Sequence, residues 1–167
     1  MSEKFLAIDP GSRFTGFAVA SHYPFKCFEV GVIQPKKIEL EDRFKIIFEA
    51  LMKLTAEYRI KTFVVEKVFH HKNAVSALKL AMARGIVFTV AGIHHAKVYE
   101  ISPNEIKKVV SGKGHASKDE VANSIKLLTG ISNLPTNDAT DALAIAYAFS
   151  SCLLYTFRAH ETGRNLV

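Results

Sequence analysis

At Leu40 the apolar spacing of this chain changes period, and that change sets the order of its layers. Upstream, Phe5 to Ile8 is a continuous apolar run stopped by Asp9-Pro10-Gly11, which reads as a buried strand and a turn. Thr15 to Ala20 and Phe25 to Ile33 read as second and third strands. A link as short as Ser21-His22-Tyr23-Pro24 implies antiparallel, hairpin-like pairing. From there Leu40, Phe44, Ile47, Leu51, Leu54 and Tyr58 recur at alternating steps of four and three, the stripe of an amphipathic helix. Each such side chain contributes about 1.5–3 kcal/mol when buried, ample to dock a helix on a sheet. Thr62 to Val65 is β-branched or aromatic throughout, a strand buried on both faces and hence parallel to the first.

The remainder alternates in the same manner. Ala74 to Ala91 is expected to be helical and is apolar nearly all round, so it must be deeply buried or used in self-association. Lys97 to Ile101 is a short fifth strand. Ser102-Pro103-Asn104-Glu105 and Ser117-Lys118-Asp119-Glu120 are capping-box signals that open two helices, the second ending near Gly130. A last helix is expected from Thr136 to Phe157. The expectation is an α/β fold, a mixed five-stranded sheet covered by helices, formed by residues 1–157. Residues 158–167 are read as a polar, flexible tail.

A chain of 167 residues, 49% hydrophobic, suits one domain. The longest apolar stretch near the middle, Gly85 to Gly92, falls far short of the roughly 20 residues of a bilayer crossing. The start of the chain has no leader-like pattern, so a cytoplasmic location is expected. Cys27 and Cys152 are far apart and read as free thiols. Twenty-two Lys and Arg against 16 Asp and Glu leave a formal charge of +6, which favours a polyanionic partner.

Against that positive background, four carboxylates stand where apolar elements meet turns: Asp9, Glu66, Asp138 and Asp141. Each has an ordinary reading alone. Asp9 belongs to a favoured turn tripeptide, Glu66 could be an exposed strand end, and Asp138 complements a helix dipole. Asp141 is harder to dismiss, because Ala142-Leu143-Ala144-Ile145-Ala146 follows and its face should be packed. If the first and fourth strands are parallel neighbours, Asp9 and Glu66 emerge on one edge. Two carboxylates about 4 Å apart repel by roughly 4 kcal/mol at an effective dielectric of 20, so four together call for cations or protons. Oxygen-only ligation points to Mg²⁺, with Mn²⁺ able to substitute, two ions per subunit, rather than zinc. Such a pair can activate water, straddle a phosphodiester and stabilise the leaving oxygen.

Lys107, Lys108, Lys113, His115 and Lys118 gather around Gly112-Lys113-Gly114 as a candidate grip on a phosphate backbone, although a solvated loop would look similar. Phe69, flanked by His70, His71 and Lys72, is a core ring or a wedge that stacks on bases. His70-His71 and His94-His95 lack the companions of a zinc site.

With these residues in place, the chain resembles the RuvC family of bacterial Holliday-junction resolvases, within the RNase H-like superfamily. The match runs from about Phe5 to Ala148. It takes in Ile8-Asp9-Pro10-Gly11-Ser12-Arg13-x-Thr15-Gly16, Val65-Glu66-x-Val68-Phe69, and Lys72-Asn73-Ala74-x-Ser76-Ala77-Leu78-Lys79-Leu80-x-x-Ala83-Arg84-Gly85. It continues through Gly112-x-Gly114-x-Ala116-x-Lys118 and Asp138-Ala139-x-Asp141-Ala142-Leu143-Ala144.

The resemblance implies an RNase H-like fold and a crossover junction endodeoxyribonuclease that nicks two strands of like polarity in recombination and repair. It implies 5′-phosphate and 3′-hydroxyl ends, a homodimer acting on four-way junction DNA, and work beside the RuvA and RuvB branch-migration proteins. Asp9, Glu66, Asp138 and Asp141 match the metal-binding tetrad. Lys107 and Lys118 match basic residues of DNA contact and catalysis, with Lys118 in the catalytic set, and Phe69 matches the aromatic that engages the junction. Lys72, Lys108 and Lys113 complete the expected DNA-binding set. Lys67 and Glu120 depart from the family's usual residues, where Gln or Glu and Gln respectively are common. Two rivals are a YqgF-type nuclease for precursor ribosomal RNA and a non-catalytic junction-binding module, which would be expected to have lost an acidic ligand.

Overall fold

The computed structural model describes residues 3–36, 39–67 and 73–164, with side chains as far as Cys152. Its first three strands are β1 (Lys4–Asp9), β2 (Thr15–Ser21) and β3 (Lys26–Ile33), an antiparallel meander as the short connections require. Helix α1 (Leu40–Tyr58) crosses to β4 (Thr62–Glu66), which pairs parallel with β1. Helix α2 (Ala74–Ile93) crosses to β5 (Lys97–Ile101), parallel with β4. The sheet order is therefore β3-β2-β1-β4-β5, with β1 at its centre.

Alternation along β1 divides the core in two. Phe5 and Ala7 face α5 (Asn137–Arg164), while Leu6 and Ile8 face α1 and α2. The α1 stripe buries Ile47, Leu51 and Leu54, with Phe44 and Tyr58 at its margin. On the other face α3 (Pro103–Ser111) and α4 (Lys118–Thr129) flank α5, and both open with the predicted reciprocal Ser–Glu caps. Glu120, one of the family departures, is the cap's acidic member and lies 3.8 Å from Lys113. Helix α5 is apolar on every side because it is the centre of its layer; Ala139, Ala142, Leu143, Ala144, Ile145 and Ala146 are all buried.

One alternative is decided and two expectations are revised. Helix α2 is not deeply buried: Ala83, Val87, Val90 and Ala91 dock it, while Val75, Leu78, Met82, Phe88 and Ile93 remain exposed. Its 20 residues, with a mean hydropathy of 1.6, are also long and apolar enough to cross a membrane, contrary to the estimate from Gly85 to Gly92. Here α2 carries Lys79 and Arg84 and packs on the sheet. Finally, α5 does not end near Phe157 but continues to Arg164.

Candidate active site

The site forms where the ends of β1 and β4 meet the start of α5. Ile8 and Val65 are paired across these parallel strands, so Asp9 and Glu66, each one residue further, leave the sheet at the same edge. By alternation both side chains follow Ala7 and Val64 to the α5 face. Beyond Asp9 the chain turns sharply: Thr15 Oγ1 donates to the Gly11 carbonyl at 2.7 Å and is itself buried. That bond closes the Asp-Pro-Gly turn and keeps Asp9 at a rigid strand end.

The first turn of α5 is brought to the same place by an absence of side chain. Gly16 of β2 pairs with Asp9, and a Cβ at Gly16 would overlap the carbonyl of Asp138. The glycine thus lets the helix backbone lie directly on the sheet beside Asp9. Asp138 and Asp141 project from that turn, both half-buried. Thr136 starts the helix by accepting from Ala139 N–H through Oγ1 at 3.2 Å.

Electrostatics records the convergence. Burial first, then Asp141, Glu66 and Asp138, push the Asp9 carboxyl up from its ordinary 3.8 to about 7, while Lys118 pulls it down. Glu66 is raised by burial and by Asp141, against Lys118, Lys107 and Arg84. Asp141 is raised by burial and by Asp138, with Lys118 opposing. These are mutually repelling oxygens in a partly dehydrated pocket, a donor set that suits a hard divalent cation. Among the described residues, however, no three His, Cys, Asp or Glu side chains are gathered so as to hold an ion as they stand. Lys118, the first residue of α4, supplies positive charge there instead, its Nζ 3.6 Å from Asp141 Oδ2.

The basic residues divide. Lys107 is half-buried and lines a small cavity of about 90 Å³ with Glu66, Lys118 and Asp141. Lys113 sits in the exposed turn between α3 and α4, paired with Glu120. Lys108 is not brought to the carboxylates; it lines a groove with Glu105, Val109, Tyr147 and Cys152, because it shares a face of α3 with Glu105, three residues earlier, while Lys107 points to the carboxylates. Phe69 and Lys72 lie outside the described residues.

Sequence reasoning gave no role to Arg13, Ser76 and Lys79, which line a 560 Å³ groove running from Asp9 and Glu66 toward α2, with Lys118 on its wall. It also assigned none to Gly16. A cation on an otherwise apolar helix was the available signal for Lys79; nothing in the composition around Gly16 announces a close approach from α5.

Comparison with known proteins shows the family and the fold in which this site lies. The family model described as crossover junction endodeoxyribonuclease RuvC matches residues 5–149. A RuvC of Hydrogenovibrio crunogenus is 39% identical over 144 residues, covering 85% of this chain and 84% of the relative. One of Marinobacter nauticus is 36% identical over 160 residues, covering 95% and 91%. Thermus thermophilus RuvC, solved in complex with a Holliday junction substrate, superposes with a TM-score of 0.79 at 26% identity, covering 87% of this chain and 92% of that one. The yeast mitochondrial resolvase Ydc2 shares the fold, with a TM-score of 0.64 at 12% identity. The expected RNase H-like fold is thus borne out, and a YqgF-type assignment is set aside. The span matched by the RuvC family model, residues 5–149, carries all four acidic positions from Asp9 to Asp141, and by that match the chain belongs to the RuvC family of crossover junction endodeoxyribonucleases.

Proposed function

We propose that this protein resolves four-way DNA junctions by nicking two strands of like polarity, each from one acidic site. The observation that carries the reading is the approach of Asp9, Glu66, Asp138 and Asp141 at one sheet edge, where burial first and then the neighbouring carboxylates raise the Asp9 carboxyl to about 7. Those four carboxylates would hold Mg²⁺, two ions in this reading, or Mn²⁺ in its stead. Bound there, the metal would supply Lewis-acid polarisation of the phosphate and activation of water.

The chain's own residues do the rest. Asp9 and Glu66 on strand ends, and Asp138 and Asp141 on a helix, present acceptor oxygens from rigid elements. Lys118 and Lys107 oppose their repulsion and meet phosphate oxygens as the backbone enters the groove. Arg13 and Lys79 extend the positive wall along which the strand lies. Lys113, at the exposed turn, adds backbone contact, and Phe69 with Lys72 is assigned the junction's crossover on resemblance alone. Synthetic four-way junctions with Mg²⁺ present test the whole reading: paired nicks on strands of like polarity are expected, and binding without cleavage would leave only a junction-binding module.

Lys118→Ala is expected to slow nicking about 10²-fold, the scale of removing one electrostatic group from a reacting phosphate. It should also reduce the salt dependence of junction binding by about one counterion. Unchanged rate and unchanged slope would remove Lys118 from the machinery.

Self-association through α2 belongs to the same proposal. Its exposed face combines Leu78, Met82 and Phe88 with a shallow groove of 350 Å³ lined by Ala77, Leu80, Ala81, Arg84, Gly85 and Phe88. An apolar face of that kind suits a second copy of the chain, as two symmetric nicks need. Sedimentation should find a dimer at micromolar concentration and a monomer for Met82→Asp; a wild-type monomer throughout would refute it. A cytoplasmic location and action beside RuvA and RuvB complete the proposal, and failure of RuvA-bound junctions to be nicked would count against the partnership.

A further inference from the structure

The carboxylate of Glu66 lies on the α5 side of the sheet, but its main chain is gripped from the other side. Pairing between β1 and β4 is registered as far as Ile8 and Val65, so the Glu66 carbonyl lies one residue past the last such pair. Arg84 of α2 reaches that carbonyl, with Nη1 donating to Glu66 O at 2.5 Å. Its Nη2 donates to Oε1 of Glu100, the β5 residue paired with Val65. The guanidinium carbon is 5.7 Å from the ring centroid of Phe88, one turn along the helix, and the Arg84 side chain is only 15% exposed. Both prongs of the guanidinium are thus used, one face is covered by a ring, and water is largely excluded. A lysine could not reproduce that geometry.

We propose that Arg84 is a positioning residue for the nuclease reaction, clamping the Glu66 main chain to α2 and β5 so that the carboxylate meets Asp9 and Asp141. The inference rests on the reading of Glu66 as a member of the acidic site. Asp9 also ends its strand, but it is paired with Gly16 of β2 and followed by the turn that the Thr15–Gly11 bond closes, and Asp138 and Asp141 are within a helix. Glu66 ends its strand, held beyond that point by Lys67 N–H donating to the Ile101 carbonyl at 2.8 Å. A ligand at a strand end needs a second fastening if its oxygens are to stay within about 0.5 Å of a working position. Arg84 supplies it, and its charge also favours the ionised form of Glu66.

The test compares Arg84→Met, Arg84→Lys and Glu100→Gln with the wild-type full chain, by calorimetric Mn²⁺ titration and by kinetics on a synthetic four-way junction. Arg84→Met is expected to lower Mn²⁺ affinity and kcat each about 10–100-fold, the usual effect of removing a group that orients a ligand, with KM for the junction unchanged. Arg84→Lys should recover part of both. Glu100→Gln, which leaves the bond to the Glu66 carbonyl, should lose less. If Arg84→Met does not fold, the other two carry the comparison. Wild-type Mn²⁺ affinity and kcat in folded Arg84→Met or Arg84→Lys would overturn the proposal. Glu66→Gln separates the two levels: loss of Mn²⁺ uptake and nicking there, with Arg84 variants unaffected, sinks Arg84 alone. Glu66→Gln with both intact sinks the acidic-site reading and this inference together.

Discussion

Asp9→Asn should still bind a four-way junction within about twofold of wild type while nicking it at least about 10²–10³-fold more slowly, the scale of losing one preorganised electrostatic group. The same substitution should stabilise the metal-free protein above neutral pH. With its carboxyl raised from 3.8 to about 7, folded Asp9 holds a proton that the unfolded chain has released. Its favourable contribution is therefore fully present below about 3.8 and is lost as pH rises through about 7. Ionising Asp9 in the fold costs up to roughly 4 kcal/mol by that shift. Asn has no charge to repel Asp141, Glu66 and Asp138. Thermal melts in chelator should show the variant several degrees above wild type at pH 8 and the difference shrinking toward pH 5. Saturating Mg²⁺ should raise the wild type more than the variant. A variant no more stable at pH 8 than at pH 5, relative to wild type, would mean that Asp9 does not feel its neighbours. Undiminished nicking would refute its place in the site.

Gly16→Ala is the second large effect, and it acts without touching a carboxylate. A methyl group there meets the main chain of α5 at Asp138 rather than a side chain that could swing away. Either β2 or the start of the helix must give, at a cost of about 1–3 kcal/mol for overpacking. Because Asp138 and Asp141 ride on that turn and Asp9 pairs with Gly16, the displacement falls on the site itself. A shift of about 1 Å can cost about 10²-fold in rate. We expect a lower melting temperature and a fall in nicking out of proportion to the folded fraction. Gly112→Ala is a useful contrast, since that glycine has open space around it and a left-handed φ of 75° capping α3. It should strain the cap and lower stability without a comparable loss of nicking per folded molecule. Wild-type nicking by Gly16→Ala would show that α5 need not lie so close.

Local signals carried most of the fold. The period change at Leu40 marks where hairpins give way to crossover connections, and both reciprocal caps form as the Ser-x-x-Glu spacing requires. Helix α2 was the weak point, because apolarity all round is equally consistent with burial and with a partner. Only packing distinguishes them, and Leu78 and Met82 lie in solvent. Lys108 illustrates the same limit: proximity along the chain to Lys107 says little about direction on a helix.

For the acidic site, composition and spacing determined which residues could take part: carboxylates closing apolar runs, in a chain otherwise positive. Their chemistry is local, since each oxygen and each turn propensity belongs to its own short segment. What tertiary structure decided was whether they meet. Parallel register puts Asp9 beside Glu66, a missing side chain at Gly16 admits the start of α5, and Arg84 reaches across from α2 to hold a strand end. Such contacts join residues far apart in the chain, and their geometry is set by close packing of whole elements, which no short stretch of sequence encodes.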